Sequence, residues 1–436
     1  MPRELSPFEL DRELARVAPR ARAAYRALRA GREVTLTLPD VLSDPETLAR
    51  LEGERSDPIA APLLRWLYWL ELMRRSLSLE GERVRRYRAQ RHALDTPLSG
   101  HFTWRELLGH ALRDRARRPA LCDALFERGG ELRDAVARLS ELRAAFPSFA
   151  GRSREALELP CPEVAAQALS FLDASADPYG SLAAGTPSDL LELGLARDAD
   201  DGWPRQLSLR SLHDLLGEPG WLQGLRLEPG ELPATLSASS FGRGLLRLGA
   251  AWTDALAPAS QPFALAHDCF GLSRSIHGAL LAGLLTSPAF LKRQLGLGKP
   301  RLSTHLRALA RSTLLFVRQL ALRVLLDEPS LAGTSALREA FAEQGTRAFG
   351  FELPPTAAGL WFRPRVGDGQ RLAGALLAAT RARQLAHEHD DDWFRNPRAV
   401  EQLRAEARMP PPTTCTSEEL AAGARDLLGA LGPLLQ

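Results

Sequence analysis

His387-Glu388-His389-Asp390-Asp391-Asp392-Trp393-Phe394-Arg395-Asn396-Pro397, near the C-terminus, gathers potential metal ligands into one short run. His387 and His389 are two residues apart, which on a helix points them to different faces. They converge only where the backbone is extended; otherwise the run is a solvated helix end, dense in negative charge. A short break at the aspartates separates two helices. Gln370–His387 reads as helix before the break, Asn396–Ala407 after it, and Ser417–Leu428 closes the chain.

Outward from this tail the chain is helical in texture. The 436 residues are 45% apolar, 25% charged and only 6% aromatic, so a core must be built mainly from Leu, Ala and Val. Helix formers dominate and Val/Ile/Thr/Tyr runs are nearly absent. Pro7–Ala30, Ala61–Arg83, Trp104–Arg117, Pro119–Phe146 and Glu163–Ala176 carry apolar residues at helical spacing, and Asp44-Pro45-Glu46 is a helix start signal. Gly, Pro and Asp loosen the pattern over residues 177–233. It resumes over Ala234–Leu256, Leu272–Leu285, Pro288–Leu297 and Leu302–Leu326, with Asp327-Glu328-Pro329 read as a stop. Phe351–Gly369, which holds Pro354, Pro355, Pro364, Gly367 and Gly369, reads as a loop or small β-hairpin. The expected architecture is all-α, a large two-lobed helical bundle. It divides into an N-terminal lobe (1–176), a looser connection (177–233) and a C-terminal lobe (234–436).

Charge and cysteine usage narrow the function classes. A formal charge of +3 argues for neither nucleic-acid nor membrane-surface binding. Lys292 and Lys299 are the only lysines, which fits GC-rich codon usage better than a guanidinium-based function. No apolar run reaches the roughly 18 residues needed to span a bilayer, and the N-terminus shows no signal core. Cys122, Cys161, Cys269 and Cys415 form no CxxC pair, so reduced thiols in a cytoplasmic protein are expected.

Asp392-Trp393-Phe394-Arg395-Asn396-Pro397-Arg398-Ala399, followed by Leu403-Arg404 and the Ser417-Glu418-Glu419-Leu420 helix, resembles the C-terminal end of the thimet-oligopeptidase-like family. These are helical, two-lobed gluzincin peptidases, and the N-terminal helices through Pro160–Ala176 resemble their lid lobe. Catalysis in such a family needs His-Glu-x-x-His on one helix: two imidazoles at i and i+4 hold zinc, and the Glu activates its water. A Glu on the next long helix completes the ligands. By order along the chain, the resemblance puts the first helix at Ser239–Trp252, with Ser240, Phe241 and Gly244 at the key positions, and puts His277 where the acid belongs. No HExxH occurs anywhere. The resemblance therefore implies a pseudopeptidase that needs no cofactor and has no catalytic residues. Its expected role is to bind a peptide or protein partner, in the manner of a bacterial accessory protein and possibly beside an active relative.

Two other readings stand beside it. A divergent metal-dependent hydrolase would use zinc, or another ion, held by His267, Asp268, His277, His387, His389 and Asp392. This requires their three segments to converge. A helical scaffold or adaptor would need no site at all. Glu106 and His110, at i and i+4 with His101 upstream, are a half-motif of the kind common on charged helices. Gly242-x-Gly244 and Gly296-x-Gly298-Lys299 lack the context of a phosphate loop, and Ser239, Ser240, Ser273 and Ser275 lack a nucleophile elbow or base. Trp203, Trp221, Trp252, Trp361 and Trp393 line a groove or, more commonly, anchor a core.

Overall fold

The computed structural model describes all residues except 1–4, 30, 43, 55–56, 90, 95–99, 115, 128–132, 181–185, 218–219, 226–231 and 359–366. The N-terminal helices are α1 (Pro7–Arg29), α2 (Pro45–Gly53), α3 (Ala60–Ala89), α4 (Trp104–Arg113), α5 (Arg118–Glu127) and α6 (Arg133–Ala144). The middle of the chain holds α7 (Arg154–Glu158), α8 (Val164–Ala174), α9 (Ala176–Gly180), α10 (Pro187–Gly194) and α11 (Leu209–Gly217). There follow α12 (Ala238–Leu256), α13 (Phe263–Ala266), α14 (Leu272–Gly283), α15 (Pro288–Arg293), α16 (Lys299–Leu325), α17 (Asp327–Ala332) and α18 (Thr334–Phe349). The chain closes with α19 (Asp368–His389), α20 (Pro397–Ala407) and α21 (Ser417–Leu435).

The all-α expectation holds, and local signals account for many helix ends. Asp44 caps α2, its carboxylate accepting from the Thr47 N–H at 2.9 Å. Thr103–Glu106 and Thr416–Glu419 are reciprocal capping boxes that open α4 and α21. α16 ends at Leu325, just before the expected stop at Asp327-Glu328-Pro329, and Pro329 is tolerated in the first turn of the separate helix α17. The strands sit elsewhere than expected. Antiparallel hairpins pair Arg91–Leu94 with Gly100–Thr103, and Ser148–Phe149 with Arg152–Ser153. Around Phe351–Gly369, Pro355–Ala357 forms a 3-10 turn. The rest of that expected hairpin, with Trp361 and Pro364, falls mostly in 359–366, outside the described residues.

Four helices set the interior. α12, α14, α19 and α21 lie side by side in that order, and a glycine marks each crossing. A Cβ built on Gly249 of α12 would stand 2.3 Å from the His277 carbonyl oxygen of α14. One on Gly278 would stand 2.7 Å from the Leu246 oxygen, so the approach is closed from both sides. A Cβ on Gly374 of α19 would stand 2.4 Å from the Ser275 Cβ of α14, and one on Gly423 of α21 would stand 2.4 Å from the Leu376 oxygen of α19. Gly249 faces residue 277 and Gly242 faces residue 285, so α12 and α14 run antiparallel.

Apolar cores fill the spaces on either side. One joins α4, α5, α8, α16, α18, α19 and α21 around Phe171, Phe341 and Phe349. A second joins α11, α12, α14, α16, α19 and α20 around Trp203, Trp221 and Trp252. A third, around Leu10, Leu63, Trp66 and Tyr68, is closed by Ala264, Cys269 and Phe270. Arg318 of α16 is the most completely buried arginine among the described residues. Its guanidinium donates to the carbonyls of Leu172 and Ala348, both at 2.9 Å, and stacks 4.4 Å from the Tyr179 ring. It thereby satisfies the open C-terminal ends of α8 and α18 at once, and burial pulls its pKa down to about 10. Among the described residues no helix is long and apolar enough to cross a membrane.

Three outcomes test this packing by urea unfolding. Gly249→Ala and Gly423→Ala force backbones apart and should each cost about 2–4 kcal/mol. Gly429→Ala, in α21 with no atom within 4 Å of the added methyl, should stabilise by about 0.5–1 kcal/mol. Arg318→Leu strands buried carbonyls and should cost at least about 3 kcal/mol.

Candidate functional site

The Ser239–Trp252 stretch lies within α12, opened by Ser237, whose hydroxyl accepts from the Ser240 N–H at 3.4 Å. Ser240 is buried and turns its own hydroxyl back to the Ser237 carbonyl at 3.1 Å. Phe241 is fully buried, edge-on to Trp203 with ring centroids 5.9 Å apart. At Gly244 even a methyl group would come within 2.6 Å of Leu212 and 3.4 Å of Leu232. These three positions therefore face an apolar core roofed by α11. An imidazole at position 244 has no room, and a carboxylate at position 241 would meet no partner in that surround.

His277 lies elsewhere on the same pair of helices. Its ring sits against Trp252, centroids 5.4 Å apart, while its backbone meets Gly249. Gly249 is five residues beyond Gly244, about 7 Å along the axis. Leu248 and Trp252 are the i, i+4 pair beside it, and both are buried apolar residues. The Ser273 carbonyl lies 3.0 Å from His277 Nδ1, and because a carbonyl only accepts, Nδ1 carries the hydrogen. Burial, against the opposing hydrogen bond to Ser273 and with a smaller contribution from Arg381, holds the His277 pKa below its ordinary value.

The remaining candidate ligands are engaged one by one. Asp268 opens α14, its carboxylate accepting from the N–H groups of Phe270 at 3.0 Å and Leu272 at 2.5 Å. His267 packs on Phe263, centroids 4.5 Å apart, and its Nδ1 is 3.9 Å from Asp254. α19 stays helical through His389, so His387 and His389 diverge: His387 is exposed, and His389 bonds Gln402 at 2.8 Å. Asp392 is paired with Arg293. Among the described residues no group of three or more His, Cys, Asp or Glu side chains is placed to hold a metal ion. The convergence required of His267, Asp268, His277, His387, His389 and Asp392 is therefore not found: each segment's polar atoms are turned to local caps and ion pairs. These donors do not fit a catalytic zinc. Glu106 likewise serves the α4 capping box, and His110 packs on Phe102.

The aromatic residues are anchors. Trp252 Nε1 donates to the Trp221 carbonyl at 2.8 Å, and Trp221 Nε1 to the Phe394 carbonyl at 2.9 Å. Trp221 stands 5.3 Å from Trp252 and 6.2 Å from Trp393, centroid to centroid. Trp393 and Phe394 are buried, and the tail signature is tied through Trp221 to Trp252 of α12.

One polar group was not foreseen. Asp254, at the end of α12, lies 3.2 Å from Arg274 and 3.5 Å from Arg22, with His267 beyond. Burial works to raise its pKa, but His267 and the two guanidiniums outweigh it and bring it to about 2. Four separate segments supply these residues, and no local pattern in the sequence marks them.

The neutral His277 has a measurable consequence. Its folded pKa lies below the unfolded value of 6.5, so the unfolded chain takes the proton first. Stability is fully present above about pH 6.5 and falls as pH drops below it, by up to about 1.4 kcal/mol per unit. His277→Gln should lose this part of the slope between pH 7 and pH 5, measured by urea unfolding at each pH.

No protein-family model matches the chain. No curated protein matches it either. Among solved structures it is similar to the crystal structure of a protein from Bacillus anthracis str. Ames assigned as an oligoendopeptidase F. The likeness has a TM-score of 0.50 at 12% sequence identity and covers 98% of this chain and 85% of that one. At that identity it shows the fold: a helical bundle of the oligopeptidase kind.

Proposed function

We propose that this chain is a non-catalytic protein of oligopeptidase-like fold that acts by binding a peptide or protein partner. The observation that carries the reading is the filling of α12. Positions 240, 241 and 244 hold Ser, Phe and Gly, and Leu212 and Trp203 occupy the space that imidazoles and a carboxylate would need. Loss of one ligand would leave a damaged site. Replacement of the polar set by close apolar packing removes the place where a hydrated metal and a substrate carbonyl would meet.

His277 supports the same reading. It stands where the resemblance puts the acid, and it spends its Nδ1 hydrogen on its own helix while facing an indole. What remains of the resemblance is a helical frame and its tail anchor, which suits retention for binding, alone or beside an active relative. A cytoplasmic site of action belongs to this reading, in keeping with four free cysteines.

The test is direct. Protein purified without added metal should contain less than about 0.1 zinc per chain by elemental mass spectrometry. It should cleave no member of a quenched-fluorescence peptide library, with or without added zinc. Peptidase activity that a chelator abolishes would overturn the proposal. Saturable binding of the uncleaved library peptides, followed by fluorescence polarisation, is the positive outcome.

A further inference from the structure

Cys161 and Cys415, 254 positions apart in the chain, meet in the fold. Cys161 follows Pro160 just before α8, and Cys415 lies in the extended segment before α21. The Cys415 N–H donates to the Pro160 carbonyl at 2.9 Å, which sets the two backbones side by side. Gln167 Nε2 donates to Ser417 Oγ at 2.7 Å and fixes the same junction two residues on. The two thiols are near enough to act on each other's ionisation. Covalent geometry across the 2.9 Å backbone bond keeps the Cα atoms no more than about 7 Å apart, the reach of a disulfide. Cys161 is buried and Cys415 half-buried, and both are free thiols.

Their proximity makes the pair chemically unequal. The influence of Cys415, with a smaller one from the Glu163 backbone, outweighs burial and lowers the Cys161 pKa. The Cys415 pKa is raised by the same proximity and by burial. The other two thiols lack this activation: burial pushes Cys122 up to about 11 and Cys269 up to about 12. Thiolate character concentrates at the one sulfur that has a second sulfur beside it.

We propose that Cys161 and Cys415 are a redox pair that a hydroperoxide closes to a reversible disulfide, tying the C-terminal helix α21 to α8. In the first step the Cys161 thiolate attacks one peroxide oxygen. An S–O bond forms, the O–O bond breaks, and the departing oxygen takes a proton, leaving Cys161 as a sulfenic acid. In the second step the Cys415 sulfur attacks that sulfur: the S–S bond forms, the S–O bond breaks, and the Cys415 proton leaves with hydroxide as water. Two electrons pass from the two sulfurs to the peroxide, and a dithiol returns them. The cross-link acts on the outermost of the four packed helices, since α21 docks on α19 through Gly423 and α19 docks on α14 through Gly374. It also closes a loop over more than half the chain, which favours the folded state of whatever it joins.

The experiment treats the full chain with a small excess of hydrogen peroxide, alkylates it, and maps peptides by mass spectrometry without reduction. The expected result is one cross-linked pair containing Cys161 and Cys415, two hydrogens lighter than the reduced peptides and released by dithiothreitol, with Cys122 and Cys269 alkylated only after denaturation. The oxidised protein should melt several degrees higher than the reduced one. Cys415→Ser, close in size and half-buried, should lose both the cross-link and the melting shift while folding as the parent by circular dichroism. Oxidation of Cys161 only to sulfinic or sulfonic acid, a cross-link through Cys122 or Cys269, or no loss of thiols would each overturn the proposal.

Discussion

Backbone-to-backbone approach of helices at glycine is the constraint on which the rest of this molecule depends. At Gly249–His277, Gly374–Ser275 and Gly423–Leu376 one helix lies so close to the next that no β-carbon fits between them. Such contacts bury peptide surface, which side-chain packing cannot mimic, and they admit a single register. They order α12, α14, α19 and α21 into one layer. The large side chains, Trp252, Phe241, Phe341 and Phe349 among them, then fill the space above and below it.

That layer also governs what the molecule can hold. A metal site between two helices needs side chains long enough to reach an ion and room for its water. α12 presents Gly244, Leu248, Gly249 and Trp252 along the region facing α11 and α14, and the closest approach of α12 to α14 falls at His277 itself. Close packing and a hydrated cation compete for one volume, and here packing occupies it. Charged groups gather away from these crossings: Asp254, at the end of α12, sits between Arg22 and Arg274, and Glu158 is held by Arg143 and Tyr68.

Much of the helical frame was legible in the sequence. Asp44, Thr103 and Thr416 announce their helices through side-chain caps, and the apolar period of α1 or α3 is visible residue by residue. The tail resemblance foretold a helical bundle of the oligopeptidase kind. The hairpin at Arg91–Leu94 and Gly100–Thr103 was not legible, because Arg-His-Ala-Leu has little strand character and is held as a strand by its partner. The candidate metal ligands were visible as residue types, but their fates were not. Whether Asp268 binds an ion or caps a helix depends on a turn geometry that its neighbours in sequence do not dictate.

By itself, then, the sequence determined the helical class, most helix starts, and the absence of a His-Glu-x-x-His motif, because these follow from short-range periodicity, capping chemistry and direct reading. Tertiary structure alone decided that His277 lies against Gly249 and Trp252, that the histidines of the tail diverge, and that Cys161 meets Cys415. Each of those is a contact between segments tens to hundreds of residues apart, set by which glycines let helices close together. The His387–Pro397 run shows both sides: its residue types suggested a ligand cluster, whereas its folded form is a helix end, an ion pair with Arg293 and two aromatic rings buried against α12 and its neighbours.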